Sequence, residues 1–133
     1  MPRRKSDRPT DAELRILRVL WRHGAQTVRE VVERLEAGTG YTTALKLLQI
    51  MTEKGHVARD ESRRSHVYSA APTEEEVQDL LVGELADRAF DGSMAQLALR
   101  ALSDKPSSKE ELDEIRALLA RLSDESTDRE EGE

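Results

Sequence analysis

Apolar residues recur at helical spacing along most of the chain and at strand-like spacing in one short stretch. The first run, "TDAELRILRVLW", places Leu14, Leu17, Val19, Leu20 and Trp21 on one broad face. Thr10 with Glu13 three residues on forms a capping-box pattern at its start, and Gly24 closes it. "TVREVVERL" repeats the signature with Thr27 and Glu30, which predicts a short helix burying Val28, Val31, Val32 and Leu35. Gly38 and Gly40 are expected to end this helix and bracket a tight connection. A third helix follows in "GYTTALKLLQIMTEKG". Then the period changes: "HVARDE" and "SHVYSA", separated by the polar "SRRS", read as a hairpin with Val57, Val67 and Tyr68 inward. Beyond Pro72, Thr73 starts a fourth helix, Ser93–Leu102 form a fifth, and Ser108 with Glu111 opens a sixth that ends near Leu122. After Ser123 the apolar stripe stops and an acid-rich tail is expected to be disordered.

Three helices followed by a two-stranded wing make a winged helix-turn-helix, whose third helix enters the DNA major groove. The predicted fold is therefore mainly α with a small β-hairpin wing: an N-terminal winged helix-turn-helix plus a C-terminal helical dimerisation domain. The expected boundaries are residues 1–9 for a basic N-terminal segment, 10–72 for the DNA-binding domain, 73–123 for the dimerisation domain and 124–133 for the tail. At about 100° per residue, Ala44, Leu47, Leu48 and Met51 share one side of the third helix. Thr42, Thr43, Lys46, Gln49, Ile50 and Glu53 share the other. A lysine there can reach a phosphate or guanine, a glutamine can pair with adenine, and a threonine methyl can meet thymine. Thr42, Thr43, Lys46 and Gln49 are thus candidate DNA contacts, with Arg63 and Arg64 at the wing tip and Thr27 at the start of the second helix. The bland reading makes Thr42 or Thr43 a mere cap and Lys46 a solvated cation.

Charge changes the picture in one respect. The net charge of −6 conceals a split, with 14 Lys/Arg against 9 Asp/Glu in residues 1–72 and 7 against 18 in residues 73–133. The first half accommodates an anionic partner that the whole-chain figure argues against. The start "PRRKSDR" reads equally as a flexible basic arm or a soluble terminus. Aromatic side chains make up only 3% of residues, which disfavours a large aromatic-lined pocket. There is no cysteine, so disulfides and thiolate metal sites are excluded, and no cofactor is expected. No apolar run reaches membrane-span length and the start lacks a signal segment, so a cytoplasmic protein is expected.

The segments "TDAELRILRVLW", "TVREVVERL", "GYTTALKLLQIMTEKGHVARD" and "RRSHVYSAAPTEEE" resemble the BlaI/MecI penicillinase repressors, a family that also includes the copper-responsive CopY repressors. The resemblance runs from about Thr10 to Leu122. It implies a homodimeric repressor acting on double-stranded palindromic operator DNA, with beta-lactamase, other antibiotic-resistance or stress genes as targets. It also suggests a membrane sensor protease as a partner. The C-terminal helices look too short to cover their own stripe. Val77, Leu80, Leu81, Leu85, Met94, Leu97, Leu112, Ile115, Leu119 and Leu122 are the candidate dimerisation residues, some of which pack within the chain. Three positions depart from the family pattern. Ile50 stands where many relatives carry arginine. The staphylococcal members are cleaved between asparagine and phenylalanine, where this chain has Arg100 and Ala101, so cleavage-based induction does not carry over. The cysteine motif of the copper-responsive members is missing, which excludes thiolate sensing of copper(I).

An enzyme requires convergent reactive groups, and none are legible. His23, His56 and His66 lack ligand spacing, and no zincin motif, phosphate-binding loop or nucleophile elbow occurs. The competing readings are a winged-helix protein-interaction module, favoured by Ile50 and the acidity, and a ligand-responsive regulator free of proteolytic control.

Overall fold

The computed structural model describes residues 8–36, 38–104 and 106–131. Helix α1 (Asp11–His23) begins as its capping box dictates: Thr10 Oγ1 accepts the Glu13 N–H at 3.2 Å, and Glu13 Oε1 accepts the Thr10 N–H at 2.9 Å. Strand β1 (Gln26–Thr27) leads directly into α2 (Val28–Arg34), where Thr27 and Glu30 form the same reciprocal pair. Helix α3 (Tyr41–Lys54) ends at Gly55, whose φ of 84° places it in the left-handed region that glycine occupies without penalty. The wing is β2 (Val57–Asp60) and β3 (Val67–Ala70), paired antiparallel from Val57 opposite Ala70 to Asp60 opposite Val67. Then come α4 (Glu74–Ala89), α5 (Met94–Asp104) and α6 (Lys109–Glu131).

Winged-helix order is thus present: mainly helical, with a small antiparallel sheet. The expected two-stranded hairpin is a three-stranded sheet, ordered β1-β3-β2, because Gln26 and Thr27 pair with Tyr68 and Val67. The second helix also stops earlier than its glycines suggest. Leu35 closes it in an extended conformation, which frees Gly40 to become the N-cap of α3.

The chain divides into two compact units that part between Leu85 and Ala86. In the first, Ile16, Leu17 and Leu20 from α1 pack with Val28 and Val31 from α2 and with Ala44, Leu48 and Met51 from α3. Val57 and Tyr68 bring the wing into this core, and Val77 and Leu81 bring the start of α4. Burying such side chains stabilises a fold by about 1.5–3 kcal/mol each. Leu47 and Leu45 are partly buried beside them; the sequence pattern assigns the first to the core and passes over the second. Trp21 is half-buried and its Nε1–H donates to the Pro72 carbonyl at 3.0 Å, fastening α1 to the exit of the wing. Glu13 is 1% exposed, and Lys54 Nζ donates to both its oxygens, at 2.9 and 3.2 Å. Burial alone raises the Glu13 pKa. The Thr10 backbone N–H, the Lys54 hydrogen bond, the Thr10 side chain and the Lys54 charge together outweigh it and hold the carboxyl below its ordinary value.

The second unit holds the end of α4 with α5 and α6. A turn through Asp91 (φ 51°) and Gly92 (φ 81°) precedes α5. Ser108 caps α6, accepting the Glu111 N–H at 3.1 Å and donating its own N–H to Glu111 at 3.0 Å. The helix then continues to Glu131 rather than ending at residue 123. No proline or glycine interrupts residues 124–131, and Thr127 Oγ1 bonds back to the Ser123 carbonyl at 3.0 Å. At the other end, Pro9 is buried and Arg8 bonds Glu84 at 3.0 Å, so both belong to the first unit rather than to an arm. The remainder of that segment, residues 1–7, and residues 132–133 lie outside the described residues.

Candidate nucleic-acid interface

Helix α3 begins without a side-chain cap, because Gly40 has no side chain to offer. Its first N–H groups are left for an external acceptor, and the helix dipole makes that end electropositive. Thr42 and Thr43 occupy the first turn, and both are exposed. Neither acts as the cap, so that part of the bland reading falls. Lys46 and Gln49 follow on the same outer face, exposed as the helical period places them. Among the described residues, none of these four side chains enters a hydrogen bond or ion pair. Opposite them, Ala44, Leu48 and Met51 are fully buried, which fixes the rotation of α3. Ile50 sits at the border, half-buried, and Glu53 ends the face.

The wing flanks the helix start. Residues 61–66 connect β2 to β3 and are all exposed. Asp60 Oδ1 accepts the Ser62 N–H at 2.9 Å, which turns the chain immediately after β2. Hydrogen bonds from the Ser62 side chain and backbone, with help from Arg63, hold the Asp60 carboxyl below its ordinary pKa. Arg59 pairs with Glu61 at 2.6 Å, whereas Arg63 and Arg64 form no ion pair among the described residues.

A depression of about 540 Å³ joins these parts. Thr27, Val28 and Arg29 line it from the start of α2, Tyr41 and Leu45 from α3, and Arg64, Ser65, His66 and Tyr68 from the wing. It brings together two of the seven candidates, Thr27 and Arg64, with the start of α3; Arg63 is not in its wall. The Thr27 hydroxyl already accepts the Glu30 N–H, which leaves its proton and one lone pair to offer outward. Arg29, Tyr41 and His66 were missed by sequence reasoning. Arg29 carries a weak signal of its own, as a cation two residues past a helix cap; the other two join the site only through the fold.

The penicillinase repressor family model matches residues 9–121. The chain belongs to the penicillinase repressor family. The match spans both compact units and covers most of the chain, and it makes the protein a transcriptional regulator of a DNA-binding repressor family. The penicillinase repressor of Bacillus licheniformis is 24% identical over 112 residues, covering 83% of this chain and 88% of that protein. Two solved structures are distant likenesses. Rv0081 of M. tuberculosis has a TM-score of 0.47 at 22% identity, covering 74% of this chain and 84% of that one. YusO of Bacillus subtilis has 0.49 at 23%, covering 90% and 77%.

The cleavage-position and dimerisation candidates are divided between the units, with Val77, Leu80, Leu81 and Leu85 in the first and the others in the second. Arg100 and Ala101 are exposed in the middle of α5. Of the ten dimerisation candidates, Val77 is buried in its own chain's core and Leu81 packs against it. That is a correction for Val77, because its side chain has no surface left to offer. Leu80, Leu97 and Ile115 are half-buried, while Leu85, Met94, Leu112, Leu119 and Leu122 are exposed. Leu99, Leu102 and Leu118 are exposed apolar residues that the list omitted. No helix among the described residues is long and apolar enough to cross a membrane.

Proposed function

We propose that this protein is a homodimeric repressor that occupies a palindromic operator, with α3 in the major groove and the wing beside it on the backbone. The uncapped start of α3, where four polar side chains stand exposed and uncommitted, carries this reading. Thr42, Thr43 and the first-turn N–H groups meet the duplex first, Lys46 and Gln49 reach base edges, and Arg64, Arg63 and Arg29 bind phosphates. One winged helix grips few phosphates, and a two-fold pair doubles the grip and matches a palindrome. The exposed leucines of α5 and α6 supply the surface for that pairing.

Induction by proteolysis at Arg100–Ala101 has little support from this chain. A peptide bond inside a helix has to be unwound before it can occupy an extended protease cleft, and neither residue matches the cleaved pair of the staphylococcal relatives. The deciding experiment selects bound duplexes from a random DNA pool and measures their affinity against salt. An inverted repeat bound with a steep salt dependence is expected. A bound sequence without two-fold symmetry, or salt-insensitive binding, refutes the reading.

A further inference from the structure

A second cationic cavity lies in the first unit, and its lining shares no residue with the depression beside α3. It has a volume of about 210 Å³ and is bounded by Arg15, Arg18, Arg22 and His23 of α1 and by Arg34 and its neighbours at the end of α2. The spacing of Arg15, Arg18 and Arg22 keeps them on one side of α1, about 10 Å from first to last. Among the described residues none of these four arginines forms an ion pair, whereas Arg8, Lys54 and Arg59 of the same unit each do; Arg34 feels the Glu30 carboxylate one turn before it on α2. Among the described residues, Glu36 alone offers a negative charge in the wall. Arg34 is also held in place: its Nε donates at 3.1 Å to Oε1 of Gln26, a buried amide whose Nε2 donates to the Ala25 carbonyl at 3.0 Å. Its Nη1 lies 3.5 Å from His23 Nε2. A fold that gathers like charges around a concavity, and fixes one of them through a buried amide, has built a receptor for negative charge.

We propose that this cavity binds a small multivalent oxyanion, of the phosphate or polycarboxylate class, independently of operator DNA. Its small volume and the apolar walls of Val19 and Leu35 favour a compact ligand over a continuous polyanion. His23 reports on occupancy. Loss of hydration, then the charges of Arg34 and Arg22, depress its proton affinity. An anion beside it cancels those charges and raises it.

The test titrates the full chain with inorganic pyrophosphate in about 150 mM chloride, following the His23 ring by NMR and the heat by calorimetry. Saturable binding with an upward shift of the His23 pKa is expected. Arg18→Gln, which leaves the Gln26–Arg34 bond untouched, should weaken binding about tenfold, and Arg34→Gln at least as much. Non-saturable heats, or an equal His23 response in wild type and both variants, overturn the proposal. It is equally overturned if pyrophosphate does not bind while Arg18→Gln weakens operator binding and lowers its salt slope by about 0.9, because the arginines then serve DNA phosphates. Retained operator affinity in Arg18→Gln separates this site from the operator face.

Discussion

The two compact units spend their apolar residues in opposite ways. In the first, α1, α2, α3, both wing strands and the start of α4 send side chains into one core, and Ile16, Leu17, Val31, Ala44, Leu48 and Met51 are fully buried. In the second, α5 buries nothing, and Leu99 and Leu119 are 60% and 56% exposed. A helix with an apolar stripe left in water is stable only when something covers the stripe. The first unit thus satisfies itself, while the second has surface that a second copy of the chain would satisfy.

That contrast predicts unequal responses to substitution. The largest belongs to the first core: Met51→Ala or Leu48→Ala should cost about 2–5 kcal/mol of unfolding free energy, read by denaturant titration. Next, Leu119→Asp should abolish the concentration dependence of the melting temperature and weaken operator binding by about 100-fold or more, with first-unit NMR shifts unchanged. A variant that remains dimeric would overturn the assignment of this face. Lys54→Met strands a buried carboxylate and should cost about 1–3 kcal/mol. The Glu13 pair also sets a pH dependence. Because the folded carboxyl lies below its ordinary pKa, the unfolded chain binds more protons in the window between the two values. Its contribution is complete above the unfolded pKa of about 4.3 and is lost as pH falls through the folded value, so Glu13→Gln should flatten the acid limb of the stability curve. Smallest is the surface effect: Lys46→Ala and Arg64→Ala should leave stability within about 0.5 kcal/mol and lower the salt slope of operator binding by about 0.9 each.

What could be read in advance followed from locality. The capping boxes at Thr10, Thr27 and Ser108 are contained within four consecutive residues, and each formed as written. The exposed face of α3 follows from its period, once Ala44, Leu48 and Met51 are known to face inward. Strand β1 was invisible because two residues carry no alternation, and its partners Val67 and Tyr68 lie about forty positions away. Tyr41 and His66 were missed for the same reason: each is an unremarkable exposed residue until β3 and α3 bring them around one depression. In the tail, composition argued for disorder, yet an unbroken run of helix-compatible residues simply extended α6. The domain boundary drawn at Pro72 cuts where the pattern changes, but Val77 and Leu81 still belong to the first core, which the pattern of α4 alone could not show.

Trp21 gives the molecule a built-in optical probe. It is the chain's single tryptophan, so all of the protein's tryptophan emission comes from one half-buried indole hydrogen-bonded to the Pro72 carbonyl. Pro72 lies where the wing ends and α4 is about to begin, on the path from the proposed operator surface to the helices that follow. Any ligand, duplex or pairing event that strains this joint should change the emission colour or intensity without a label, and one that leaves it at rest should not.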